Sequence, residues 1–158
     1  MEAMDDFKVL KTEKDAPQDL ITKALMMAGG LLELCGKAKK GQGIKMAEDT
    51  LKSGKAYTQM MRIIKEQGPT HRKLRFGKFK KDILARTGGK VKAIDNKLIA
   101  HIARSAGAPK DPEAGVYVYK KLNDTVKKGE KLYAIYADSK ERITYAEEYG
   151  TDKVYTIK

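Results

Sequence analysis

The sequence predicts an α+β protein: an N-terminal helical segment followed by a mixed α/β domain with the element order β-β-α-β-β-α-β. Three observations carry this expectation. Through residue 67, apolar residues recur at the three- and four-residue spacing of a helix face. From residue 73 the period shortens to the alternation of strands. Glycine and proline breaks, among them Gly41-Gln42-Gly43, Gly68-Pro69 and Gly88-Gly89, separate the segments. A run of helices followed by strands indicates α+β or two subdomains.

The elements are expected as follows. A short helix covers residues 3–10. Asp15 is placed to cap a second helix, with Pro17 in its first turn and Asp19 at its positive end. Leu20, Ala24, Met27, Ala28, Leu31, Leu34 and Cys35 stripe that helix, and Gly36 ends it. Within it Gly29 and Gly30 each cost about 1 kcal/mol relative to Ala. Close helix packing is the ordinary reason for such a pair, and a ligand against the bare Cα positions is the sharper one. After the 39–43 loop, residues 44–51 form a helix. Ser53 is positioned to cap another, covering residues 55–66.

Strands are expected at 79–84 and 90–94, around the Gly88-Gly89 turn. Asp95 caps a helix through Leu98, Ile99 and Ile102 that stops near Gly107. A loop at 109–114 leads to a strand at 115–120, a tight connection at 124–130 and a strand at 131–137. Ser139 caps a last helix running to Tyr149, Gly150 stops it, and residues 154–157 close with a strand.

The charge is uneven. The chain of 158 residues carries a formal +12. Residues 1–67 hold 12 Lys+Arg against 10 Asp+Glu, and residues 68–158 hold 21 against 11. Residues 71–92 contain nine basic side chains and one acid, Asp82, with Phe76 and Phe79 interleaved. Such a stripe can follow a nucleic-acid backbone, but no RNA-binding signature accompanies it, and a solvated lysine-rich face is the ordinary reading. Nucleic acid is not expected as a partner. No apolar run reaches 18 residues, so no membrane span is expected. The acidic start lacks the positive and apolar regions of a signal peptide. The single Cys35 cannot form an internal disulfide, and a small buried hydrophobe is its expected role. A cytoplasmic, reduced protein follows.

Candidate chemistry is sparse. Gly41-Gln42-Gly43 could form an anion nest from backbone N–H groups, although a loop between helices is the simpler reading. His71 and His101 are far apart in sequence, and His101 falls on a helix face. No paired-histidine, CxxC, nucleophile-elbow or P-loop spacing occurs. The 115–137 hairpin is similar to those of lipoyl and biotin carriers but lacks their modifiable-lysine motifs. The residues therefore assign no catalytic, cofactor-binding or metal position.

One ordered series is more specific: Asp19-Leu20, Ala24-Leu25, Ala28-Gly29-Gly30, Leu32-Glu33-Leu34, Gly36-Lys37-Ala38, Leu51, Ser53-Gly54-Lys55-Ala56 and Gln67-Gly68, continuing through Gly89-Lys90-Val91 and Gly129-Glu130. It resembles the later half of the thymidine/pyrimidine-nucleoside phosphorylase family, most closely its archaeal AMP phosphorylase branch. The resemblance implies that residues 1–70 are a helical segment of the central phosphorylase domain and residues 71–158 a C-terminal α/β-hammerhead domain. It also implies a parent pentosyltransferase in which inorganic phosphate, as co-substrate and with no cofactor, splits a nucleotide or nucleoside into base and pentose phosphate. The family's phosphate loops and base-binding residues precede the matched region, so none transfers to a position here. Glu2-Ala3 matches the interior of a family helix, which would place Met1 inside a longer chain. The missing N-terminal half and a second copy are the implied partners, with a structural role for this part. A stand-alone basic RNA-binding or assembly module is the alternative.

Overall fold

The computed structural model describes residues 2–68 and 75–158. The chain forms two compact units, one helical and one β-rich. The helical unit contains α1 (Glu2–Leu10), α2 (Gln18–Leu34), α3 (Gly43–Lys52) and α4 (Lys55–Glu66).

Two of the expected caps are not made. Asp15 pairs with Lys8 instead, and α2 starts behind Pro17 without a side-chain cap. The Ser53 hydroxyl donates to the Thr50 carbonyl, and Gly54, at φ 73°, precedes α4. Gly36, also left-handed at φ 66°, follows the end of α2. Cys35 stands on the surface rather than in a core, because the stripe it continues faces outward at this end of α2.

Gly29 has the packing reason. A Cβ there would come within 2.5 Å of the Ile44 backbone nitrogen. One built on Gly43 would lie 2.1 Å from the Gly29 carbonyl oxygen. The two glycines therefore let the backbones of α2 and α3 touch. Gly30 is different: a Cβ there would meet nothing within 4 Å.

The β-rich unit contains β1 (Phe79–Leu84), β2 (Gly89–Ile94), α5 (Asn96–Ala106), β3 (Gly115–Val118), β4 (Thr125–Val126), β5 (Lys131–Ala137), α6 (Lys140–Glu147), a 3-10 turn (Thr151–Lys153) and β6 (Tyr155–Ile157). The strands make two three-stranded sheets, β1-β5-β3 and β4-β2-β6, and every pairing is antiparallel. The short β4 lies inside the stretch expected as a tight connection. In β2 a register shift between Val91 and Ala93 interrupts the alternation, so Val91 is buried while both Lys92 and Ala93 are exposed. Asp95 caps α5 as expected, its carboxylate accepting from Leu98 N at 2.9 Å. Ser139 likewise accepts from Arg142 N, at 3.4 Å, at the start of α6.

The core lies under the first sheet. β5 is its central strand and is buried from Leu132 to Ala137. Tyr133, Ile135 and Ala137 join Ile102 and Ala106 of α5, Ile143 and Ala146 of α6, and Val91, Val126 and Val154. Tyr133 and Tyr155 stack at 5.9 Å, their hydroxyls donating to the Thr151 and Lys120 carbonyls. Burial, with the neighbouring Tyr155 second, pushes the Tyr133 phenol well above its ordinary range. Burial also pushes Tyr155 up to about 12.

Candidate functional site

Three surfaces carry the polar and apolar groups that could contact something outside the chain. The first is the α2–α3 corner. The Glu33 carboxylate accepts from Gly41 N at 3.0 Å and from Gly43 N at 2.9 Å. The backbone donors of the Gly41-Gln42-Gly43 loop are thus turned onto the chain's own carboxylate. The loop is a helix connection closed from within, not a nest open to an outside anion. The sequence reading did not find Glu33 in this role, since its spacing of eight and ten residues from the glycines belongs to no local motif.

Outward from that corner α2 is apolar and uncovered. Met26 is 60 % exposed, Met27 68 %, Leu31 61 % and Leu34 86 %. Gly30 and Ala24 lie in the same exposed region. Met60, Met61 and Ile63 of α4 are also exposed. Single exposed apolar side chains are ordinary, but contiguous ones mark contact surfaces.

The second surface is a basic cleft of about 750 Å³ in the same unit. The 37–42 loop, the solvent side of α3 and the start of α4 line it, with Lys37, Lys39, Lys45 and Lys55 facing a single carboxylate, Asp49. Its sequence signal is a change of sign: residues 1–36 carry 4 Lys+Arg against 7 Asp+Glu, and residues 37–67 carry 8 against 3. Dividing the chain only at residue 67 hides that contrast.

The third surface is the outer side of the first sheet. Phe76 stacks on Tyr136 at 4.5 Å and meets Tyr117 edge-on at 5.8 Å, and Tyr117 touches Tyr119. The Lys80 ammonium lies 5.8 Å from the ring centres of both Tyr119 and Tyr136. Asp82 takes Lys131 at 2.8 Å and Lys80 at 2.9 Å. The Lys131 ammonium, then that of Lys80, holds the Asp82 carboxyl below its ordinary value. The same contact raises the Lys80 ammonium. Burial lifts the Tyr136 phenol to about 12.

Ion pairs of this kind take four of the seven described cations of the basic stripe at 71–92. Arg75 pairs with Glu113, Lys80 with Asp82, Lys81 with Glu147 and Arg86 with Asp152. Lys78 lies over the Phe79 ring. Cations spent on local carboxylates release fewer counterions to a phosphate backbone. His71, Arg72 and Lys73 lie outside the described residues.

His101 is exposed, stacked on Tyr149 at 6.0 Å with Arg104 3.1 Å from its Nδ1. Among the described residues no carboxylate is bonded to it. Among the described residues no group of three His, Cys, Asp or Glu could hold a metal, and no helix is long and apolar enough to cross a membrane. At the 124–130 connection the Glu130 carboxylate accepts from Lys127 N at 3.0 Å and pairs with Lys120 at 3.2 Å.

The β-rich unit closes an α+β core of its own, and the helical unit carries an exposed apolar face on α2. Residues 90–158 match the pyrimidine nucleoside phosphorylase C-terminal domain family. The whole chain is 39 % identical to an AMP phosphorylase of Methanococcus maripaludis, of which it covers 32 %. An AMP phosphorylase of Methanocaldococcus jannaschii is 41 % identical over 92 % of the chain and 30 % of the relative. A protein of Parvibaculum lavamentivorans, provisionally named a thymidine phosphorylase, is 38 % identical over 96 % of the chain and 30 % of its own length. The chain thus spans about a third of the curated relatives it matches.

Proposed function

We propose that this chain is the C-terminal part of a nucleoside or nucleotide phosphorylase. Residues 1–70 would be a helical segment of its central domain and residues 71–158 its α/β-hammerhead domain. The single observation that carries this reading is the match of 92 % to 100 % of the chain to about a third of each AMP phosphorylase. The complete enzyme would use inorganic phosphate to cleave an N-glycosidic bond. From AMP it would give adenine and ribose 1,5-bisphosphate, and from a pyrimidine nucleoside the base and a pentose 1-phosphate. Inorganic phosphate is its co-substrate, and the reaction calls for no cofactor. A cytoplasmic setting suits that metabolism.

The role of this part is scaffolding and association. Among the described residues His101 meets Tyr149 and Arg104 rather than a carboxylate, so no acid–base pair is assembled there. The exposed α2 face would be covered by the remaining two-thirds of the enzyme or, in the chain alone, by a second copy. The full-length protein, assayed with AMP, CMP and thymidine plus phosphate, should release base from at least one, and the isolated chain from none. Absence of phosphate-dependent release from all three by the full-length protein would end this reading. The RNA-binding alternative loses ground because four of the seven described cations of the stripe are ion-paired.

A further inference from the structure

The basic cleft of the helical unit has a shape and a charge that scaffolding does not require. We propose that it binds a small ligand carrying two or more phosphate charges, as an inorganic polyphosphate or a sugar bisphosphate does. The proposal concerns residues 37–55 of this chain and stands whether or not the chain is part of a phosphorylase.

Four observations point the same way. The cleft is concave, and its volume of about 750 Å³ lies within the range of small-molecule sites. Lys37, Lys39, Lys45 and Lys55 line it against Asp49 alone, and among the described residues none of these four lysines is ion-paired. The neighbouring Lys52, by contrast, is held by Glu48 at 2.6 Å. At the lip of the cleft α4 begins behind Gly54 with no side-chain cap, and an uncapped helix start carries unpaired N–H groups and a positive end that favour an anion.

The lining also says what the ligand is not. It contains no Phe, Tyr, His or Trp, so a nucleobase has no ring to stack on. The Thr50 and Ser53 hydroxyls donate to the Met46 and Thr50 carbonyls. Beside the Gln42 amide and the N–H groups at the start of α4, recognition therefore falls to ammonium groups, which act as flexible point charges and read charge more than shape. A compact ligand of high charge density gains most from such a site. An extended single strand would need a longer basic groove with aromatic platforms. Binding is accordingly salt-dependent.

The test is a titration of the whole chain, followed by amide NMR at constant ionic strength, with sodium pyrophosphate and separately with a pentose bisphosphate. Saturable shifts at Gly41, Lys45, Lys55 and Ala56 are expected. Replacing Lys39, Lys45 and Lys55 together by Gln should weaken binding about tenfold or more. The corresponding Arg variants, which keep the charge, should bind as the parent does and serve if the Gln variant is misfolded. Tighter binding of the bisphosphate identifies a sugar ester as the ligand, and tighter binding of pyrophosphate an inorganic one. Shifts that fail to saturate, unchanged affinity in the Gln variant, or saturation by single-stranded RNA alone would overturn the proposal.

Discussion

The two units solve the problem of apolar surface in opposite ways. In the β-rich unit thirteen buried residues between Ala85 and Tyr155 form one connected core. In the helical unit, among the described residues, only Val9 and Ala47 are buried hydrophobics. Its four helices meet instead through close backbone approach at Gly29 and Gly43 and through edge contacts such as Phe7 on Tyr57 at 6.4 Å. Most stability in a helical segment comes from packing an apolar face rather than from propensity. The β-rich unit packs its faces within itself. The helical unit leaves its widest face, on α2, for something else to pack. This difference is the one expected if the helical unit is part of a larger domain, as proposed above.

The largest expected effect comes from truncating each region's apolar residues. Ile102→Ala removes a fully buried side chain and should destabilise the β-rich unit by about 2–5 kcal/mol. Urea unfolding of the whole chain reads this. Leu31→Glu in the helical unit should cost about 0.5 kcal/mol or less in the isolated chain, while light scattering shifts from dimer toward monomer. Equal losses from the two substitutions would erase the contrast.

The glycine pair sharpens it within one helix. Gly29→Ala places a methyl 2.5 Å from the Ile44 nitrogen, and overpacking of this kind costs about 1–3 kcal/mol. Gly30→Ala meets open space and should stabilise α2 by about 1 kcal/mol. Helix content followed by circular dichroism on heating should move in opposite directions for the two. The same sign for both would mean that α2 and α3 do not approach as described.

A smaller effect concerns acid. The folded-state carboxyl of Asp82 lies below its ordinary value of 3.8, through Lys131 first and Lys80 second. Its contribution is therefore present above that value and is lost as pH falls through the lower folded value. The stability of the β-rich unit should drop at pH below about 4, and Asp82→Asn should flatten that part of the curve. Titration of urea midpoints against pH checks it. An unchanged slope in the variant would assign the acid loss to other groups.

Much of this was legible in the sequence because it depends on neighbouring residues. The helix–strand order, the Asp95 and Ser139 caps and the limits of β1 and β5 follow from periodicity, capping chemistry and glycine breaks. Other features depend on partners distant in sequence. Asp15 and Ser53 have capping chemistry, but Lys8 and the Thr50 carbonyl take their side chains. Thr125-Val126 reads as a turn until Gly89 and Lys90 pair with it. Cys35 continues an apolar stripe that only a core could bury, and the helical unit has too small a core to do so. The role of Glu33 on Gly41 and Gly43, and the cleft lysines drawn together from residues 37–55, exist only once α2 and α3 are folded against each other. The site followed the same division: the sequence assigned no catalytic residue, and the surfaces that stand out are set by tertiary placement.

Hydrogen exchange across the whole chain tests most directly whether one unit is autonomous and the other awaits a covering partner. In dilute monomer the β5 amides from Leu132 to Ala137 should exchange only through global unfolding of their unit. Those of α2 from Ala24 to Leu34 should exchange at least about a hundredfold faster, through local opening. Equal protection of α2 and β5 under those conditions would contradict the account.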